Sequence, residues 1–319
     1  MSSIQVIVKK TILLLGGFGF IGSNFLDYLQ KRKIHDFEII VFARSDNTEK
    51  RKLFKNVIQE VYIGDFRVEN DVRKVFVDYK IDTVFHLISS SVPFSSNQDI
   101  TADINNNLLS TIRLLDTCVE FKVEKIIFSS SGGAVYGDIN KESYREEDDG
   151  SPNSSYGILK ITIEKYIKLY AHLYGIKYLC FRIANPYGLF HTSANQGAIN
   201  IAVKRAVSGE EFKVWGSGNN KKDYIYAEDL CRIIYNILNS DIQNKTLNIG
   251  TGTGVSINEI LTEVKSFQSD FKISYSEAKS FDVSNVVLNI SNIEKFINFE
   301  FTPLDIGISQ IFNYLMQRK

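Results

Sequence analysis

Thr11-Ile12-Leu13-Leu14-Leu15-Gly16-Gly17-Phe18-Gly19-Phe20-Ile21-Gly22 is the stretch that decides the fold. A short apolar run of strand length stops at glycine, and a helical run follows over 23–31. The glycines are spaced G-x-x-G-x-x-G. A tight strand-to-helix turn needs residues free of Cβ strain, and glycine lets the backbone approach an anion closely. The open N–H groups and positive end of the following helix then favour a pyrophosphate. Glycines alone also make ordinary turns. This turn follows the first buried strand and opens a series of βαβ units, so it predicts a dinucleotide site.

Working outward, strands are predicted at 39–42, 61–63, 84–87, 125–130 and 178–183. Helices are predicted at 105–121 and 156–173, the first with Leu108, Ile112, Leu115 and Val119 at helical spacing. Short apolar strands alternating with helices indicate an α/β fold: a Rossmann-type parallel sheet with helices on both faces. Polar and glycine-rich sequence becomes denser after Pro186, notably over 216–220. A dinucleotide-binding domain is therefore expected over 1–188. A smaller mixed α/β substrate domain is expected mainly over 189–319. Helical patterns at 226–238 and 256–264 flank a strand-like 245–249, and segments near 225–250 are expected to return to the first domain. The strand-like 4–8 has no place in this scheme.

The bulk properties exclude several classes. Lys plus Arg and Asp plus Glu are both 37 in a chain of 319 residues, a balance unlike that of a dedicated nucleic-acid binder. Neither a signal pattern nor a membrane-length apolar run is present, so a cytoplasmic protein without a membrane partner is expected. Cys118, Cys180 and Cys231 are widely spaced, as free thiols would be. The four histidines lack metal-ligand spacing, and no metal is expected.

At the end of the second strand, Phe42-Ala43-Arg44-Ser45 lacks the acid that usually binds the adenosine ribose. Arg44 could instead pair with a 2′-phosphate, which leaves NAD and NADP both open as cofactors. Asp65, beyond the third strand, could bond the adenine amino group or serve as a turn aspartate. Tyr156 and Lys160 are four apart in a helix and share a face. An ammonium beside a phenol favours phenolate, which would make Tyr156 a proton acceptor and donor. Ser129-Ser130-Ser131-Gly132-Gly133 follows a strand at its carboxyl end, where open α/β sheets bind ligands. A serine there could bond the reacting oxygen, or merely its own backbone. No G-x-S-x-G elbow or Walker sequence accompanies these features.

Taken in order, these pieces resemble the extended short-chain dehydrogenase/reductase superfamily, especially nucleotide-sugar epimerases and dehydratases of the UDP-glucose 4-epimerase type. The matching pieces are GGFGFIG at Gly16 to Gly22, Gly64-Asp65, Phe85-His86-Leu87 and NLLST from Asn107. SSSGGAVYG from Ser129, YGILK from Tyr156, FRIANPYG from Phe181, KDYIYAEDL from Lys222 and NIGTGTGVSINEIL from Asn248 complete the order. The resemblance implies that Tyr156 is the acid/base and that Lys160 orients the nicotinamide ribose. A loop serine would contact the sugar hydroxyl, Ser131 being favoured and Ser130 left open. It also implies cofactor contacts from Gly16, Gly19, Phe20, Ile21, Gly22, Arg44, Asp65, Phe66, Leu87 and Pro186. Asn107 would help set the helix carrying Tyr156, and Asn185 would contact the nucleotide diphosphate. Lys222 and Lys279 stand where the family usually has arginines that contact the diphosphate or nucleotide, which implies both as substrate ligands that keep the charge but not the planar fork.

The activity implied is nucleotide-sugar 4-epimerisation through a 4-keto sugar with bound NAD or NADP, in a homodimer. An NADPH-dependent 4-keto-sugar reductase and a non-catalytic dinucleotide sensor or interaction protein are the alternatives. A 4,6-dehydratase would need an acid/base pair where this chain has Gly132-Gly133-Ala134.

Overall fold

The computed structural model describes residues 9–137, 141–194, 196–277 and 285–318. The strand-like 4–8 and the candidate phosphate ligand Lys279 lie outside the described residues.

In chain order the first half runs β1 (Lys10–Leu15), α1 (Phe20–Lys31), β2 (Phe37–Ala43), α2 (Thr48–Leu53), β3 (Ile58–Ile63), α3 (Glu69–Asp78) and β4 (Thr83–His86). Short α4 (Pro93–Ser96) and α5 (Ile100–Asp103) lead into a π-helix, Ile104–Leu109, then α6 (Ser110–Glu120), β5 (Lys125–Ser131), α7 (Ser155–Tyr174) and β6 (Lys177–Ile183). The remainder is β7 (Asn185–Tyr187), α8 (Ala198–Ser208), β8 (Phe212–Trp215), β9 (Lys221–Tyr226), α9 (Ala227–Leu238), β10 (Lys245–Ile249), β11 (Gly254–Ser256), α10 (Ile257–Phe267), β12 (Ile273–Ser276) and α11 (Leu304–Met316).

Seven strands form one sheet in the order β10-β6-β5-β4-β1-β2-β3, and every pairing in it is parallel. The order reverses between β1 and β4, the place where such sheets leave a crevice for ligands. β1 shows why the sheet is covered on both faces. Ile12 and Leu14 pack with Phe25, Leu29, Ile233 and Ile237 of α1 and α9, while Leu13 and Leu15 pack with Val75, Leu115 and Ile163 of α3, α6 and α7. Alternate residues of one strand thus feed two cores, which requires a continuous apolar run rather than alternation.

β10 joins β6 in parallel, as the pattern at 245–249 implied. The smaller C-terminal part is mixed α/β. β9 lies parallel to β7 and antiparallel to β11, and β12 pairs with β8. Its own core joins Ile199 and Val203 of α8, Phe212 and Val214 of β8, Ile260 and Val264 of α10, and Ile308 of α11. Several boundaries differ from the sequence pattern: the third strand begins at Ile58, and the helix expected over 256–264 runs Ile257–Phe267. Helix 105–121 opens as a π-helix, and Tyr226 ends β9 instead of starting a helix.

Candidate active site

The glycine turn is built for close approach. Gly16 takes φ +81°, and a Cβ on Gly22 would lie 2.5 Å from the Gly17 carbonyl oxygen. The first rung of α1 runs from Ser23 N–H to the Gly19 carbonyl at 2.9 Å. The amides of Phe20, Ile21 and Gly22 therefore precede the helical ladder, with no acidic residue in the first turn to compete for them.

Two cavities meet at this turn. One of about 390 Å³ runs from Gly16 and Gly19 to Arg44, Asp65 and Phe66. The other, about 350 Å³, runs from Gly19, Phe20, Ile21 and Gly22 to Ser131, Tyr156, Lys160 and Pro186. Gly16, Gly19, Leu87 and Ser89 line both. A dinucleotide is two nucleosides joined by a pyrophosphate. The residues fit it, with one cavity for each half and open amides between them.

The first cavity leans positive. Ala43 leaves the end of β2 without an acid, and Arg44 faces the space instead. Asp65 is already engaged: the Arg67 Nε donates to its two oxygens at 2.9 and 3.0 Å, and the Arg67 backbone N–H donates at 2.9 Å. These bonds hold the Asp65 carboxyl down at about 2, with Arg44 adding to the effect.

In the second cavity, α7 carries both members of the proton-transfer pair. Lys160 is 5% exposed; its Nζ donates to the Ser129 carbonyl at 2.7 Å and lies 5.3 Å from the Tyr156 ring centroid. Burial lowers the Lys160 ammonium to about 8, against the raising influence of Glu164 and Asp103. Burial pushes the Tyr156 phenol up to about 12; hydrogen bonding with Ser131 opposes the rise and Asp103 adds to it. This corrects the sequence expectation that Lys160 depresses the phenol. The ammonium is committed to the Ser129 carbonyl, and the cost of desolvating a phenolate dominates.

The alternation of β5 separates the two candidate serines. Both line the cavity, but the Ser130 hydroxyl donates to Glu164 Oε1, within a buried Glu164–Arg182 ion pair of 2.9 Å. Ser131 is the one set against Tyr156. Asn107 lies in the π-helix; its Oδ1 accepts from Ser90 N–H at 2.8 Å and its Nδ2 donates to Asp103 Oδ1 at 2.7 Å. His86 is sealed between Phe66 and Phe128, with Nε2 3.0 Å from the Thr111 hydroxyl, and burial lowers it to about 3, a neutral packing group.

A third cavity, about 580 Å³, shares Asn185, Pro186, Gln196 and Gly197 with the second. Asn185 is braced by donating from Nδ2 to the Asp223 carbonyl at 2.9 Å. Lys222 lines this third space, together with Arg205, Lys213 and Trp215. Lys213 Nζ rests 4.7 Å from the Trp215 ring centroid. Among the described residues no group of His, Cys, Asp and Glu could hold a metal ion, and no helix is long and apolar enough to cross a membrane.

Residues 12–250 match the NAD dependent epimerase/dehydratase family. The chain belongs to that family. It is an NAD(P)-dependent enzyme of the nucleotide-sugar epimerase/oxidoreductase class. A putative UDP-glucose 4-epimerase of Methanocaldococcus jannaschii is 30% identical over 309 residues, covering 95% of this chain and 98% of that one. A dTDP-4-dehydro-6-deoxyglucose reductase of Escherichia coli is 26% identical over 307 residues, covering 95% and 96%. The UDP-glucose 4-epimerase of Thermotoga maritima, solved with UDP-glucose, superposes with a TM-score of 0.88 at 29% identity, covering 97% and 99%. Relatives of this family member thus include both an isomerase and a reductase.

Several lining residues of this epimerase/dehydratase-family chain escaped the sequence reading. Arg67, two residues beyond Asp65, was readable as a local ion pair. Arg205, Lys213 and Trp215 carried no local signal, because α8 and β8 bring them together only in three dimensions. His191 and Gln196, which line the second cavity, follow the NPYG turn without a motif of their own.

Proposed function

We propose that this enzyme is a nucleotide-sugar 4-epimerase working through a 4-keto sugar. The observation that carries the reading is the juxtaposition of Tyr156 and Ser131 in a cavity continuous with the glycine turn on one side and with the cation-lined third cavity on the other. A bound nicotinamide dinucleotide would supply the redox chemistry. The open amides of Phe20, Ile21 and Gly22 would receive its pyrophosphate, and Lys160 would hold the ribose beside Tyr156. Asn185 and Lys222 would bind the sugar nucleotide's diphosphate. Lysine serves there as a point charge, not a bidentate fork.

Ser131 and Tyr156 would share the sugar C4 oxygen. A phenol whose proton affinity burial raises is ready to return a proton to a 4-keto oxygen, and the Lys160 ammonium beside it would supply the charge that favours the reverse step, taking the proton from the C4 hydroxyl. Epimerisation needs that reversibility, because the same group must take the proton and later return it. The third cavity offers room for the keto sugar to present its other face.

Ala43-Arg44 and the Escherichia coli relative favour a second reading, reduction of a 4-keto sugar with NADPH. A panel of UDP-, GDP- and dTDP-sugars, with and without added NAD(P)H, distinguishes the two. Isomer formed without net change in nicotinamide absorbance supports epimerisation, and stoichiometric NADPH loss overturns it in favour of reduction.

The assembly we propose is a homodimer. Ile158, Leu169 and Leu173 expose apolar surface on α7, as Ile104 and Leu109 do on the π-helix. Light scattering at micromolar concentration should give twice the chain mass, and a monomer would contradict it.

A further inference from the structure

Asp103 is one of the buried carboxylates that the reaction as proposed leaves unused, with Glu164, Asp223 and Asp229. Asp103, 4% exposed, ends α5 where the chain enters the π-helix. Its Oδ1 accepts from the Ser91 hydroxyl at 2.5 Å and from Asn107 Nδ2 at 2.7 Å. Its Oδ2 accepts from the Ser155 hydroxyl at 2.8 Å. Three segments therefore end on one side chain: the loop after β4, the π-helix that follows α5 directly, and, 52 residues on, the first residue of α7. Ser91 lines the second cavity, and Ser155 immediately precedes Tyr156. π-helical turns concentrate at functional sites, and this one brings Asn107 onto Asp103.

We propose that Asp103 is a positioning residue, holding the Tyr156 phenol against Ser131 by tying the first turn of α7 to the loop after β4 and to the π-helix. The inference rests on Tyr156 being the proton-transfer group. Beyond bracing, Asp103 places a charge beside the pair. The charged and titratable groups that act on Tyr156 and Lys160 are Asp103 from α5 and Glu164 from their own helix, with neutral His86 facing Lys160 from β4. Asp103 raises the proton affinity of both. A purely mechanical brace would not. Asp103→Asn removes the charge at nearly constant shape, whereas Ser155→Ala cuts the link to α7 and keeps the charge.

Two measurements test this. The Lys160 midpoint, followed by NMR with isotope-labelled lysine, needs no substrate. It should lie near pH 8 in the parent chain, fall in Asp103→Asn, and hold in Ser155→Ala. Steady-state rates on the substrate found in the panel should show kcat reduced about tenfold in each variant with KM nearly unchanged, the mark of a displaced reacting group. An unmoved Lys160 midpoint in Asp103→Asn, or an unchanged kcat in either variant, overturns the proposal. If Asp103→Asn fails to fold, Ser155→Ala still decides on kcat. Absence of turnover in the parent chain would defeat the reaction reading while leaving the NMR comparison to judge Asp103.

Discussion

The second and third cavities share Asn185, Pro186, Gln196 and Gly197, and beyond that seam they are built by different means. Around Tyr156 the walls are glycine backbone and buried side chains, each with a fixed partner: Lys160 on the Ser129 carbonyl, Ser130 on Glu164, Asn107 on Ser90 and Asp103. Around Lys222 the walls come from the small sheets, where long cations such as Lys213 rest on aromatic faces near solvent. The first arrangement is held by its partners and would suit a proton transfer, which tolerates little displacement. The second, with Arg205, Lys213 and Lys222 in its lining, would recognise charge with long side chains.

Substitutions on either side of Asn185 should break this contrast or sharpen it. Tyr156→Phe should lower kcat by about 10²–10⁴-fold while dinucleotide affinity measured by calorimetry is retained. Equal loss of binding would mean that the phenol is a structural wall. Gly22→Ala would set a methyl 2.5 Å from the Gly17 carbonyl oxygen. It should cost about 1–3 kcal/mol in denaturant unfolding and weaken dinucleotide binding, because the turn must open. In the third cavity, Lys222→Ala should raise KM for the sugar nucleotide about tenfold with little change in kcat, the loss of a single charge-assisted contact. A kcat defect as large as that of Tyr156→Phe would erase the distinction between the two cavities.

The smallest effect is on pH dependence. Burial lowers Lys160 from its ordinary 10.5 to about 8, so its ammonium is complete below that pH and lost above it. Turnover should therefore decline on the alkaline side with a midpoint near pH 8. Substrate KM should change less over the same interval, because Lys222 lines a different cavity from Lys160.

How much of this was legible depended on the distance over which each signal acts. The glycine turn, the buried strands and the Tyr156–Lys160 spacing are local patterns, and β10 could be placed because 245–249 is strand-sized and lies between two helical patterns. β7 and β11 have three residues each, too few for any period to show, and their partners are remote in sequence. The choice between Ser130 and Ser131 stayed open in the loop sequence because strand alternation, not composition, decides which hydroxyl faces Tyr156. The direction of the Tyr156 shift was misread for a related reason. Spacing shows that an ammonium is near, but not that the Ser129 carbonyl claims it or that the pocket is dry enough for desolvation to win.

The most direct test uses the sugar nucleotide that is turned over, deuterated at C4, mixed with unlabelled substrate and incubated with the dinucleotide-loaded enzyme. If Tyr156 handles only the hydroxyl proton, the product should keep its deuterium on C4, without scrambling between molecules and without net change in nicotinamide absorbance. Deuterium appearing in solvent, or product formed only at the expense of added NADPH, would contradict the 4-epimerase reading.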